Sequence, residues 1–415
     1  MSFKDLQLIT PLLQAIEEQG YTKPTQVQKK AIPFVLAKRD IITSAQTGTG
    51  KTAAFALPIL QMLSENQEAE KRGRTIKALI VSPTRELALQ IGNNFKAYGR
   101  HTHLRTTVIF GGTPIEPQID VLTKGVDILV ATPGRLIDLQ KQEVIDLNEV
   151  EILVLDEADL MLDMGFIDDV KHVVSLCPKQ IQILLFSATM PYKVEQLANT
   201  ILNNPERIEI MESLSTANAI GQILYYVPKH SKIELCLHLL RNEITGSILI
   251  FRRTKFGVDK LEQTLIKNNY QVETLHGDKS QTDRQTALKK FKSGQVNILI
   301  ATDVAARGID INELDAVINF DLPNIPETYV HRIGRTGRAG NSGMSYSFCA
   351  ADEKAYVQSI QQILHIQIPV EENHPYPLDP NAKTIIHKSN HTDIGSKHRK
   401  GRKSEASKKK KKRWY

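Results

Sequence analysis

Short β-rich runs that alternate with longer helical stretches, in two successive series, constrain this chain more than any other feature. From residue 40 to about residue 350 the order strand, helix, strand repeats, the pattern of parallel sheets built from βαβ units. The first series includes Ile41 to Thr43, Ala78 to Val81, Thr107 to Phe110, Ile128 to Val130, Ile152 to Leu155 and Ile183 to Phe186. The second includes Ile248 to Phe251, Val272 to Leu275, Ile298 to Ala301, Ala316 to Phe320 and Ser345 to Phe348. Between them MESLSTANAIG, Met211 to Gly221, is small and polar without a period and reads as a linker. The expectation is an α/β chain of two tandem parallel-sheet domains, at about 1–210 and 219–370, joined across 211–218. A length of 415 residues suits that reading, since domains run to about 100–200 residues.

Charge is spread unevenly. From Glu371 to Tyr415 there are 13 Lys/Arg against 5 Asp/Glu, which leaves 40 against 41 in the first 370 residues. The body is close to neutral and residues 371–415 form a polycation, with Lys408 to Arg413 unbroken. So few apolar residues cannot bury enough surface to fold, so a disordered basic arm is expected, acting as a sequence-independent nucleic-acid tether or as a solubilising tail. The longest apolar runs are far below the roughly 18 residues that cross a bilayer, and MSFKDLQLIT lacks the basic and apolar blocks of a secretory signal. Cys177, Cys236 and Cys349 lie far apart without CxxC spacing, which favours reduced thiols over disulfides or zinc. A soluble, cytoplasmic protein is expected.

The first chemistry appears where the strand at Ile41 runs into AQTGTGKT, Ala45 to Thr52, and then into a helical stretch. Amides of a tight loop and a helix N-terminus cradle phosphate oxygens, and Gly48 and Gly50 allow close backbone approach. Lys51 is placed to reach the β- and γ-phosphates and Thr52 to hold Mg²⁺. About 105 residues after Lys51 the run ILVL ends in Asp156-Glu157-Ala158-Asp159. A carboxylate at the end of a buried strand beside a phosphate loop suits magnesium, which makes Asp156 the metal candidate. Glu157 is the candidate base for an attacking water.

The second half has no GxxxxGK[ST] but contains His331-Arg332-Ile333-Gly334-Arg335-Thr336-Gly337-Arg338. Three arginines among glycines make a poor core segment, and guanidinium groups pair in bidentate fashion with phosphate. An arginine delivered from a second domain to developing charge on a γ-phosphate would make hydrolysis depend on domain closure.

These residues, taken in order, resemble the DEAD-box ATP-dependent RNA helicases of superfamily 2 over roughly residues 1–370. Gly20-Tyr21-Thr22-Lys23-Pro24-Thr25 with Gln28 is similar to the family's adenine-reading Q motif. AQTGTGKT, PTREL (Pro83 to Leu87), Gly111-Gly112, TPGR (Thr132 to Arg135), DEAD (Asp156 to Asp159) and SAT (Ser187 to Thr189) follow. FRRT (Phe251 to Thr254), HGD (His276 to Asp278), QTDR (Gln281 to Arg284), ATDVAARGID (Ala301 to Asp310) and HRIGRTGR complete the series. Val27 stands where Ile is common, and Arg252-Arg253 makes FRRT unusually basic.

The resemblance implies two RecA-like domains. It implies that Gln28 pairs with adenine, that Tyr21 stacks on it, and that Lys23 and the loop Ala45, Gln46, Thr47, Gly48, Thr49, Gly50, Lys51 and Thr52 complete the ATP site. Asp310 would contact the ribose, Arg335 and Arg338 the γ-phosphate, and Ser187 and Thr189 would couple hydrolysis to strand separation. Pro83, Arg85, Gly112, Thr132 and Arg135 in the first domain, with Gly277 and Thr302 in the second, would track an RNA backbone by phosphate and sugar contacts. GVDILVATPGRLIDL and DEADLMLDMGF are similar to the bacterial RhlE-type subgroup. The function implied is RNA-stimulated ATP hydrolysis with Mg²⁺, coupled to local, non-processive unwinding of short RNA duplexes in ribosome assembly or RNA turnover. RNA is the implied partner, with ribosomal or RNA-degradation proteins as further candidates and a monomer as the working state. An ATP-dependent RNA clamp that does not unwind would use the same motifs, and a DNA translocase fits the motif set less well.

Overall fold

Runs such as ILVL carry no polar alternation, so both sides of each strand must be covered, and helices cover them on both faces. The computed structural model describes residues 2–45, 48–65, 74–210, 220–306, 311, 314–336 and 343–379. Its first sheet contains β1 (Ile41–Ser44), β2 (Ala78–Val81), β3 (Thr106–Ile109), β4 (Ile128–Ala131), β5 (Ile152–Leu155), β6 (Gln182–Ser187) and β7 (Glu206–Glu209). The order is β3-β4-β2-β5-β6-β1-β7 and every pairing is parallel. Alternate side chains enter opposite layers. Ala78 and Ile80 pack with Phe55, Phe95 and Ile32 on one face, while Leu79 and Val81 pack with Leu136, Met161 and Val170 on the other. A one-residue slip would exchange the layers, so burial, at about 1.5–3 kcal/mol for each large side chain, fixes the register.

The second sheet contains β8 (Gly221–Tyr226), β9 (Ile248–Arg252), β10 (Val272–Leu275), β11 (Ile298–Thr302), β12 (Ala316–Asn319) and β13 (Met344–Cys349), in the order β10-β11-β9-β12-β13-β8. It too is wholly parallel among the described residues. The same division of faces holds: Ile248 and Ile250 join Leu235 and Leu261, and Leu249 and Phe251 join Phe291 and Ala305. The molecule is therefore an α/β protein of two parallel-sheet domains. No helix among the described residues is long and apolar enough to cross a membrane.

The structure adds to the sequence reading at three places. β7, ERIE, is an edge strand in which Ile208 alone is buried, so its charge conceals it. β8 starts at Gly221, where the linker was expected to end; residues 211–219 lie outside the described residues. The basic arm was expected from Glu371, yet the chain up to Asp379 lies against β8. Leu224 N–H donates to Pro369 O at 2.8 Å, Glu371 N–H to Leu224 O at 3.0 Å and Leu378 N–H to Tyr226 O at 2.9 Å. Two rings hold it there: Tyr376 packs on the apolar cluster around Tyr225, and His374 meets Tyr225 edge-on at 5.4 Å. The polycation from residue 380 onward lies outside the described residues.

Candidate functional site

Strand order places the chemistry. In a parallel sheet all the carboxyl ends lie at one rim, where ligands bind. The phosphate loop follows β1, DEAD follows β5 and SAT closes β6, and these three strands are neighbours, β5-β6-β1. GG, TPGR and PTREL follow β3, β4 and β2, which form the other half of the same sheet. In the second domain HGD, ATD and FRRT follow β10, β11 and β9, again three neighbours. Each rim thus gathers its loops into one group.

At the phosphate loop, Gly48 and Gly50 have φ of +88° and +93°, a region that only glycine adopts without cost. A Cβ on Gly50 would lie 2.4 Å from Gln28 Nε2. Gln28 is buried on the helix Gln26–Leu36, where it closes a capping box with Thr25. Its Oε1 accepts from Thr25 N–H at 2.9 Å and its Nε2 donates to Gly50 O at 3.2 Å. The adenine-reading candidate is thereby tied to the phosphate loop, with one amide hydrogen and one lone pair left over for a base. Tyr21 and Lys23 are both exposed on the segment that leads into this helix. Ala45 is buried, its N–H donating to Ser187 O at 3.0 Å. Gln46 and Thr47 lie outside the described residues.

Lys51 opens the helix Lys51–Glu65 and its Nζ lies 2.8 Å from Glu157 Oε1, both side chains buried. Burial works against the ammonium, but the carboxylates of Glu157 and Asp156 outweigh it and raise the Lys51 pKa. Asp156, at the end of β5, is pushed up to about 7, chiefly by burial. Glu157 adopts a left-handed φ of +56°, which turns the chain sharply into the helix Ala158–Asp163. The Thr52 hydroxyl and the Asp156 carboxylate are hard oxygen donors, Lys51 supplies a cation, and the two glycines open the loop amides. This set fits the triphosphate of ATP with Mg²⁺.

Asp159 is a hub that the sequence reading named only as part of DEAD. Its Oδ2 accepts from Thr189 N–H at 3.0 Å and Thr189 Oγ1 at 2.9 Å. Its own N–H donates to Ser187 Oγ at 3.1 Å, and Ser187 Oγ donates to Thr189 O at 2.6 Å. Burial alone would raise Asp159, yet Lys51, His331 and Thr189 hold it below the usual carboxylate range.

His331 belongs to the second domain. A cavity of about 350 Å³ is lined by Glu157, Asp159 and Thr189 from the first domain and by Thr328, His331 and Arg335 from the second. Arg335 therefore lines the same cavity as the carboxylates of Glu157 and Asp159. Arg332, from the same segment, is not at the site: it is fully buried, bonded to Asp303 at 2.6 and 2.7 Å, to Asn319 Oδ1 at 3.1 Å and to Asp321 O at 2.7 Å. Guanidinium groups do enter a core when every donor is paired. Arg338 and Asp310 lie outside the described residues.

A second cleft of about 620 Å³ runs between Pro83, Arg85, Gly111, Thr132 and Arg135 on one side and Gly277, Arg284 and Val304 on the other. Gly112, with φ of +77°, lies under the Arg85 guanidinium, which would meet any Cβ at 2.2 Å. Arg135 donates to Thr113 O at 3.0 Å, while its buried Nη1 has no partner. Such an orphan cationic donor suits a phosphate oxygen. Thr302 ends β11 in register with Arg252, next to this cleft's second wall. Glu86 and Arg284 form an ion pair at 3.3 Å across the two domains, a contact that sequence reading missed although both motifs were in view.

Residues 25–197 match the DEAD/DEAH box helicase family and residues 231–340 the helicase conserved C-terminal domain. The chain is 43% identical over 371 residues to the DEAD-box ATP-dependent RNA helicase RhpA of Helicobacter pylori, covering 89% of this chain and 74% of that one. It is 41% identical over 362 residues to the DEAD-box ATP-dependent RNA helicase CshA of Bacillus subtilis, covering 87% and 72%. Among solved structures it resembles S. cerevisiae Dbp5 bound to RNA and ADP BeF3, with a TM-score of 0.79, 32% identity and coverage of 89% and 95%. With both domains RecA-like in their parallel sheets, the chain belongs to the DEAD-box ATP-dependent RNA helicases, which use ATP with Mg²⁺.

Proposed function

We propose that this enzyme couples RNA-stimulated ATP hydrolysis to local, non-processive unwinding of short RNA duplexes. The observation that carries the reading is the shared cavity, where Arg335 and His331 of the second domain meet Glu157, Asp159 and Thr189 of the first. A catalytic set divided between two domains is complete only when they close, and a strand lying in the second cleft touches both walls of the same closure.

In this reading Lys51 and the loop amides bind the triphosphate, while Thr52 and Asp156 hold Mg²⁺. The metal ion, when bound, neutralises charge on the phosphates. Glu157 orients the attacking water and takes its proton, and Arg335, with Arg338, meets charge developing on the γ-phosphate. Asp310 contacts the ribose, and Gln28 and Tyr21 select adenine. Pro83, Arg85, Gly112, Thr132, Arg135, Gly277 and Thr302 hold the RNA backbone, and the Asp159–Thr189–Ser187 network reports the state of the γ-phosphate to the strand. The enzyme acts as a monomer in the bacterial cytoplasm, in ribosome assembly or RNA turnover, and its RhlE-like phrases support that subgroup.

Steady-state ATP hydrolysis with single-stranded RNA, single-stranded DNA of the same sequence, and neither, tests the reading. Strong stimulation by RNA alone is expected, and no stimulation would overturn it. Displacement of a strand from a short duplex then separates unwinding from ATP-dependent clamping.

A further inference from the structure

We propose that Tyr98 is a positioning residue for adenine, which fastens the base site to the end of the helix whose first residue contacts the RNA strand. The inference rests on the reading of Tyr21 as the adenine platform and of Arg85 as a strand contact.

Tyr21 follows the helix Thr10–Glu18 after the turn at Gly20, whose φ is +76°. Its backbone N–H donates to Ile16 O at 3.1 Å. With 41% of its surface exposed, a tyrosine on such a turn would sample several rotamers unless a partner fixed it. Tyr98 is that partner. Its hydroxyl lies 3.1 Å from the Tyr21 hydroxyl, and the two rings meet at 6.1 Å with planes tilted by 57°. Tyr98 itself is 3% exposed and packed in the first-domain core, so its ring is fixed relative to its own helix. Burial and the Tyr21 hydroxyl both raise its pKa, so the phenol stays protonated at neutral pH.

A second set of bonds binds the same two segments. Glu18, three residues before Tyr21, accepts from Arg100 Nη1 at 2.8 Å and meets His101 Nε2 at 2.9 Å, two and three residues beyond Tyr98. Residues 18–21 and 98–101 are therefore joined on both sides of the turn.

The helix Arg85–Tyr98 gives this junction its consequence. Arg85, at its start, lines the strand cleft and covers Gly112. Tyr98, at its end, is about 20 Å away at 1.5 Å per residue. The helix is buried along Leu87, Ala88, Ile91, Phe95 and Tyr98, so it moves as one body. A shift of Arg85 on meeting a strand therefore displaces the anchor beneath the adenine platform, and by reciprocity adenine binding biases the strand contact.

Calorimetric titration of the full-length Tyr98→Phe variant with ATP and, separately, with inorganic triphosphate tests this. Loss of one hydrogen bond is expected to weaken ATP binding about threefold to tenfold and leave triphosphate binding unchanged. The tightening of ATP binding by saturating single-stranded RNA is expected to shrink. The surface variant Arg100→Ala/His101→Ala, which leaves the core intact, is expected to act in the same direction. Wild-type ATP affinity in Tyr98→Phe, equal losses for ATP and triphosphate, or undiminished tightening by RNA would each overturn the proposal. Tyr21→Ala serves as the control: if it too binds ATP like wild type, the adenine reading itself fails, whereas a loss there beside a silent Tyr98→Phe removes the present inference alone.

Discussion

Glu86 of the first domain and Arg284 of the second face each other at 3.3 Å across the strand cleft, with side chains only 8% and 15% exposed. Glu86 directly follows Arg85, and Arg284 sits on the helix Gln281–Lys292 that follows the HGD loop. The pair thus joins the two walls of the cleft proposed to hold the strand. Nearly buried ion pairs are costly to break from one side, because the remaining charge has no partner. Arg284→Ala is therefore expected to raise the RNA concentration for half-maximal ATPase stimulation about tenfold, equivalent to about 1.4 kcal/mol, with ATP binding in the absence of RNA unchanged. The exchange Glu86→Arg/Arg284→Glu is expected to recover part of the loss. No recovery, together with a single variant that behaves like wild type, would show that the pair does not stabilise closure.

Glu157 and Arg335 approach the same cavity from different domains. Glu157→Gln keeps the shape of the side chain and removes the base, so ATP binding is expected to persist while turnover falls about 100- to 10,000-fold. Arg335→Ala is expected to do likewise, because its charge serves the transition state more than the ground state. Single-turnover hydrolysis with saturating RNA checks both, and wild-type turnover in either variant removes the assigned role.

Thr189 donates its hydroxyl to Asp159 at 2.9 Å, and Asp159 is already held by the Thr189 amide. Thr189→Val deletes one bond to a buried carboxylate without changing the volume, a loss of about 1.5–3 kcal/mol in that link. Duplex displacement is expected to fall about tenfold or more, with RNA-stimulated hydrolysis within about twofold of wild type. If both fall together, the residue serves catalysis and not coupling.

Much of this site was legible in the sequence, for a physical reason. Asp156 and Lys51 follow apolar runs whose lack of alternation marks them as central strands, and the phosphate loop needs glycine at Gly48 and Gly50, where φ is positive. Local chemistry of that kind is written in consecutive residues. The ERIE strand was not legible, because an edge strand shows one apolar face residue and three charged ones. Nor was Glu86 with Arg284, or Tyr21 with Tyr98, since no local pattern joins residues that are 198 and 77 positions apart. Arg332 sits in a segment that reads as a poor core segment because its pairing with Asp303 and Asn319 depends on the packing of the helix Pro326–Ile333 against β12.

Asp321 is one carboxylate expected to contribute to the acid sensitivity of the second domain. It accepts from Arg252 Nε at 2.9 Å and from Arg253 N–H at 3.0 Å. Burial by itself would raise its pKa, but Arg252 and Lys232 outweigh burial and hold it below the usual carboxylate range. A depressed folded-state pKa means that its stabilisation is present above the unfolded value, about 3.9, and is lost as pH falls through the lower folded value. Asp321→Asn is expected to cost about 1–3 kcal/mol at neutral pH and to flatten the acid limb of a stability-versus-pH curve. An acid limb as steep as that of wild type would assign the titration to other carboxylates.

The last described residue, Asp379, follows Leu378, whose N–H bonds to Tyr226 O at the carboxyl end of β8. β8 lies at the edge of the second sheet opposite β10, and β10-β11-β9 carry the loops proposed to contact the strand. The described chain thus ends on the side of the domain away from the cleft, and we propose that the polycation from Lys397 to Tyr415 binds a separate stretch of the same nucleic acid. Binding there would release counterions in proportion to the phosphates neutralised, without touching the ATP site. Deleting 397–415 is therefore expected to weaken RNA binding and to flatten the slope of log affinity against log salt, with ATP binding in the absence of RNA unchanged. A salt slope equal to that of the full chain would assign the tail to solubility.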